Sequence, residues 1–183
     1  MKIILLTHGL QTLVDDCDHG WLSRWAWSPF YRQGRVRGAA RWVLGKTIIL
    51  HREIMNAPAG LEVDHIDHDT LNNQRVNLRI CTHAENLRNR VKWHRAGRPP
   101  SSEYKGVWFS PKDNRWIAHI SIDSRLKHLG SFRTEVAAAL AYDAAAREHY
   151  GEFACLNFPS AVVKTICEPT TLFELAGQGG YRG

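Results

Sequence analysis

A break in the middle of the chain constrains its fold more than any other feature. Residues 91 to 103 read Val-Lys-Trp-His-Arg-Ala-Gly-Arg-Pro-Pro-Ser-Ser-Glu. Gly97, Pro99, Pro100 and two serines exclude a helix there, because proline lacks the amide donor and its ring clashes with the preceding turn. The chain has 183 residues, so a break at this point leaves two small units. The expected organisation is a first unit over 1–90, a basic linker over 91–103, a second unit over 104–159 and a mobile tail over 160–183.

Composition bears on partners more than on fold. Hydrophobic residues make up 44% of the chain, enough for packed cores. A formal charge of +6 and a pI of about 9.4 favour a polyanionic partner. No run is apolar for long enough to cross a bilayer, and the opening Met-Lys-Ile-Ile-Leu-Leu is too short for a secretory signal. No basic amphipathic helix supports a membrane-surface role. Cys17, Cys81, Cys155 and Cys167 are scattered without a C-x-x-C pair, which argues against a cysteine zinc site and a disulfide framework. The expected setting is cytoplasmic.

In the first unit, Met1–Leu6 and Lys46–Leu50 read as strands, Thr12–Asp15 alternates apolar and polar, and Pro58-Ala59-Gly60 makes a turn. Trp21, Trp25 and Trp27 are expected in the core. In the second unit, Lys105–Phe109, Arg115–Ile122 and Leu126–Phe132 read as strands, with turns at Ser110–Asn114 and Asp123-Ser124. Thr134 then caps an alanine-rich helix from about Glu135 to Tyr150, which Gly151 stops. The fold class is α+β.

The densest polar chemistry lies between Leu61 and Asn86. It includes Asp64-His65-Ile66-Asp67-His68-Asp69, Leu71-Asn72-Asn73, Asn77-Leu78-Arg79 and Thr82-His83-Ala84-Glu85-Asn86. Thr82 with Glu85 three residues later is a capping box, so a helix starts there. Phosphodiester hydrolysis needs a neutral imidazole to deprotonate water, a hard cation to offset charge on the phosphorane, and a group that fixes the imidazole. A carboxylate beside a histidine, a following amide and a second amide on a helix supply these. Asp67, His68 and Asp69 read as solvated hairpin-turn residues. His51 is expected in a packing or backbone-bonding role.

This segment resembles the HNH endonucleases, in which a hairpin and a helix hold one metal (the ββα-metal motif). Asp64-His65 matches the opening pair, Asn77 the central position and Asn86 the last, where a subgroup has Asn. The flanking Leu50-His51-Arg52 and Leu71-Asn72-Asn73 are similar to phage and homing members. The resemblance implies that His65 is the general base, that Asp64 and Asn86 bind the metal, and that Asn77 fixes the loop and orients His65. An amide in place of imidazole favours magnesium, with manganese as a substitute, over zinc.

The second unit resembles the AP2/ERF DNA-binding domain on Tyr104-Lys105-Gly106-Val107, Arg115-Trp116-Ile117-Ala118, Leu129-Gly130-Ser131-Phe132, Ala141-Tyr142-Asp143 and Leu156-Asn157-Phe158-Pro159. That resemblance implies a three-stranded sheet on one helix, with the sheet laid in the major groove of double-stranded DNA. Lys105, Trp108, Ser110, Arg115, His119, Ser121 and His128 would face DNA, and Val107, Trp116, Ala118, Ile120 and Leu129 would be buried. Arg79, Lys92 and Arg95 are expected on phosphates. The combined reading is a metal-dependent DNA endonuclease of phage or homing type, monomeric or homodimeric, acting in a bacterial or infected cell without a small-molecule cofactor. The alternative is a DNA-binding regulator with an idle HNH remnant.

Overall fold

A computed structural model describes residues 1–92 and 101–159. Most of the linker, Arg95 included, and the 160–183 tail lie outside the described residues. The first unit opens with an antiparallel hairpin, β1 (Lys2–Leu5) and β2 (Gln11–Val14), followed by α1 (Asp16–Leu22). Strands β3 (Ser28–Arg32), β4 (Arg35–Val43) and β5 (Lys46–Ile49) form an antiparallel sheet in that order. Helix α2 (Leu50–Ile54) leads to a second hairpin, β6 (Glu62–His65) with β7 (Leu78–Cys81), and then α3 (His83–Arg88). One core joins them through Val14, Leu22, Trp27, Ala39, Leu50, Ile54, Val63 and Leu78.

The tryptophans divide. Trp27 is buried, and its indole N–H donates to the Leu22 carbonyl at 3.0 Å. Trp21 is half-buried and donates to Asp18. Trp25 departs from the core expectation: it is 50% exposed, with the Arg41 guanidinium 4.2 Å from its ring centroid.

The second unit is a three-stranded antiparallel sheet, β8 (Val107–Ser110), β9 (Arg115–Ile122) and β10 (Arg125–Phe132), with β9 central. Helix α4 (Glu135–Tyr150) covers one face. Thr134 caps it, accepting from the Ala137 amide at 3.2 Å. Ala138, Ala139 and Ala146 are fully buried, and these small side chains let the helix lie close on Val107, Ala118 and Ile120. Val107, Trp116, Ala118, Ile120 and Leu129 all take the helix side.

Two positions differ from expectation. Ser110 ends β8 instead of opening the turn; it is buried and donates to Asp113 at 2.8 Å. Alternation with the helix-side Trp116 and Ala118 puts Ile117 on the open face, yet it is 6% exposed, flanked across the sheet by Trp108 and Ser131.

Two lysines join the units. Lys92 donates to the carbonyls of Ser102, Tyr104 and Val107 at 2.7–3.0 Å. Lys105 donates in the reverse direction, to the carbonyls of Arg88 and Arg90 at 2.6 Å each, at the C-terminal end of α3. Burial lowers both ammonium pKa values. Both were expected on DNA; their charge is instead absorbed by backbone carbonyls at the seam.

Gly106 meets a hard constraint. Its φ is +74°, and a Cβ there would lie 2.0 Å from the Tyr142 ring and 2.6 Å from the His119 carbonyl. Gly106→Ala is therefore expected to destabilise the second unit by about 2 kcal/mol or more, read as a lowered thermal midpoint.

Candidate active site

Asp64 and His65 close β6, and the hairpin register sets Arg79 opposite Asp64. Arg79 donates to Asp64 Oδ2 through Nε at 2.9 Å and Nη2 at 2.7 Å. The Asn89 amide donates to both oxygens of the same carboxylate, at 3.1 and 2.9 Å, and to the His65 carbonyl. Arg79 was expected on DNA. Its side chain is only 11% exposed; it stacks 4.0 Å over the Phe153 ring and donates to the Glu152 carbonyl. The second unit thus helps hold a side chain of the first unit's polar centre.

The His65 ring is fixed by a chain of three bonds. The Leu71 carbonyl can only accept, so the Thr12 hydroxyl donates to it, at 2.7 Å. Thr12 must then accept from Asn73 Nδ2, also at 2.7 Å. That turns Asn73 Oδ1 toward His65 Nε2, 3.1 Å away. His65 Nε2 therefore carries the proton and Nδ1 keeps its lone pair. Thr12 and Asn73 are fully buried. Sequence reasoning missed both residues. Thr12 comes from a hairpin 53 positions away, and β2 reaches the loop by backbone bonds, Leu13 N to Leu71 O at 2.9 Å and Asn73 N to Leu13 O at 2.8 Å.

Asn77 makes no bond to His65. Its amide accepts from the Asp67 backbone at 3.0 Å and donates to Asp67 Oδ1 and the Asn72 carbonyl at 2.8 Å each, bracing the 66–73 loop. The side chain that contacts the His65 ring is Asn73. Asn86 sits on α3 behind the capping box of Thr82 and Glu85. Its amide donates to Glu62, and the amide that meets Asp64 is that of Asn89, one turn further on. Asp67, His68 and Asp69 stay exposed in the loop.

His51, in the first turn of α2, lies edge-on to His65 with ring centroids 4.9 Å apart. Its Nδ1 is buried with no hydrogen-bond partner. Burial, then the neighbouring His65 and Arg52, push its pKa down to about 3. Burial also lowers the pKa of His65, so both rings are neutral near pH 7.

On the second unit's open face, Trp108 is 44% exposed and its indole N–H donates to His119 Nδ1 at 3.0 Å, the rings stacked at 6.1 Å. His128 meets His119 edge-on at 5.3 Å. Ser121 and His128 are exposed and Arg115 half-buried. A groove of about 1050 Å³ runs from Leu87 and Arg88 of α3 to Trp108, Ser121 and Leu126.

His51 makes stability depend on pH. Its folded pKa of about 3 lies below its ordinary 6.5, so the unfolded chain binds a proton more readily between those values. Stability is full above about pH 6.5 and declines as pH falls toward 3. His51→Phe is expected to flatten that decline in denaturant midpoints measured between pH 7 and pH 4, and an unchanged slope would contradict the assignment.

Residues 56–88 match the sequence profile of the HNH endonuclease family. The chain is 32% identical over 133 residues to an uncharacterized HNH endonuclease, L560, of Acanthamoeba polyphaga mimivirus, covering 64% of this chain and 66% of that protein. A further similarity, 43% over 67 residues, is to APETALA2-like protein 2 of Oryza sativa subsp. indica and to the AP2-like ethylene-responsive transcription factor TOE2 of Arabidopsis thaliana. It covers 37% of this chain but only 15% and 14% of those proteins. The chain thus spans about two thirds of the viral relative and a small part of the plant ones. The profile match and the Asp64–His65 hairpin with its helix coincide: the segment similar to the HNH endonucleases is the one that builds the polar centre.

Proposed function

We propose that the chain is a metal-dependent DNA endonuclease in which His65 is the general base and the second unit reads duplex DNA. The single observation that carries this reading is the tautomer of His65. A relay of buried groups places its proton on Nε2 and leaves Nδ1 free to take one from water.

The residues around Asp64 fit a hard divalent cation. Among the described residues no group of three His, Cys, Asp or Glu side chains converges, which leaves one carboxylate with amide and water oxygens, the donor set of magnesium or manganese. Asp64 Oδ1 accepts only from Asn89, so it retains capacity for an ion. The helix amide closest to that carboxylate is Asn89; it and Asn86 both donate through Nδ2, to Asp64 and Glu62 respectively, which leaves each Oδ1 as the atom that would ligate an ion. Bound there, the cation would offset charge on the phosphorane and the leaving oxygen. Arg79 orients the carboxylate and partly neutralises it, which favours an ion shared with substrate phosphate over one held by the free protein. The open sheet face with Trp108, His119 and His128 supplies the duplex-reading surface, with Ser121 and Arg115 beside it.

Cleavage of supercoiled plasmid with magnesium or manganese, against EDTA, tests the reading. His65→Ala is expected to lower the rate by about 10²- to 10⁴-fold with DNA binding retained. Asn73→Ala, which frees the ring without removing it, is expected to cost about ten- to a hundredfold. Asn89→Ala is expected to weaken manganese binding, followed by electron paramagnetic resonance, more than Asn86→Ala; the reverse order would return that role to Asn86. Tight DNA binding without cleavage under any metal condition would favour the regulator reading.

A further inference from the structure

Residues 19–52 contain no aspartate or glutamate, yet carry seven cations: Arg24, Arg32, Arg35, Arg37, Arg41, Lys46 and Arg52. That exceeds the +6 of the whole chain, so the rest of the sequence is slightly negative. Two of the seven are used internally. Arg41 pairs with Glu53 at 2.6 Å, and Arg52 donates to the carbonyls of Ala57, Pro58 and Leu61. The other five are exposed, and none of their side chains makes a hydrogen bond or ion pair within the described residues.

Four of these five lie on the sheet β3–β4–β5 or its edges, and Arg24 precedes it. Arg32 and Arg35 stand directly opposite each other beside the Gln33-Gly34 turn. Like charges opposed across a sheet are unfavourable unless something anionic covers them. The same sheet exposes Tyr31 at 53% and Trp42 at 70%, flat amphipathic side chains suited to lie along sugar and phosphate.

The inner end of this sheet reaches the catalytic loop. Gly38 of β4 approaches His51 so closely that a Cβ would lie 3.4 Å from its Nδ1 and 3.6 Å from the Thr70 carbonyl. The Thr70 hydroxyl donates to the Val36 carbonyl at 3.4 Å, and the His51 ring touches that of His65. Strand β4 therefore runs outward from the proposed general base to Arg37 and Arg35. At about 3.3 Å per residue, Arg35 lies roughly 10 Å along the strand from Gly38. Phosphates of one DNA strand advance about 3.4 Å each along the helix axis, so Arg35 falls within a few nucleotides of the bond to be cut.

We propose that the β3–β5 sheet is a second DNA-binding surface, one that grips the phosphate backbone of duplex DNA beside the scissile bond. The inference rests on the nuclease reading. Three cations expected on DNA, Arg79, Lys92 and Lys105, are spent inside the protein, whereas Arg32, Arg35, Arg37 and Lys46 are available. The grip is electrostatic and independent of sequence, and complements a reader of bases elsewhere.

The test compares the full chain with a triple variant, Arg32→Ser, Arg35→Ser and Arg37→Ser, and with the same three positions changed to Lys. Binding to a short labelled duplex is measured by fluorescence anisotropy in EDTA across a salt series, with thermal melts confirming that both variants fold. The serine variant is expected to bind at least about tenfold more weakly at physiological salt, with a slope of log affinity against log salt shallower by roughly 2 to 3. The lysine variant is expected to stay near wild type. A serine variant with wild-type affinity and slope would overturn the proposal and leave the nuclease reading intact. A wild-type chain that binds no duplex DNA would overturn both, and a defect confined to RNA would overturn the assignment to DNA.

Discussion

The ion pair between Asp64 and Arg79 is the contact on which the rest of the site depends. Both side chains are largely buried, and removing either would leave a charge stranded, a loss of about 3–5 kcal/mol. The pair crosses the β6–β7 hairpin, with Asn89 from the end of α3 on the carboxylate and Phe153 of the second unit against the guanidinium. One carboxylate thus fixes the position of the hairpin, the helix and the neighbouring unit. Asp64 also lies next to His65, so the same contact sets where the imidazole backbone stands.

Much of this was legible in the sequence where the signal is local. The capping box at Thr82 and Glu85 appears as written, because it needs only four consecutive residues. The three strands and helix of the second unit fall close to their expected bounds, because alternation, turn residues and alanine content all agree.

What could not be read was set by contacts distant in sequence. Thr12 looks like any strand threonine, and only the folded chain shows it ending the relay to His65. Basic residues were poorly placed for the same reason. A lysine facing phosphate and a lysine facing a row of carbonyls have the same sequence signature; Lys92 and Lys105 proved to be of the second kind, and Arg79 is taken up by the Asp64 carboxylate. Ser110 was drawn inside by Asp113 three residues later, and Ile117 by the bulk of its cross-strand neighbour Trp108. The spacing that marked Asn86 could not distinguish it from Asn89, because the two lie about one helical turn apart and only the folded chain shows which amide meets the carboxylate.

The reciprocal lysine bonds across the seam change what the connector does. A flexible tether would let the second unit roam, so that cutting positions scatter around any bound sequence. Lys92 and Lys105 instead button the end of α3 to the start of β8 on either side of the connector. On the proposed reading the second unit would then be a ruler, and the offset between a bound sequence and a cut a property of two ammonium groups, not of linker length.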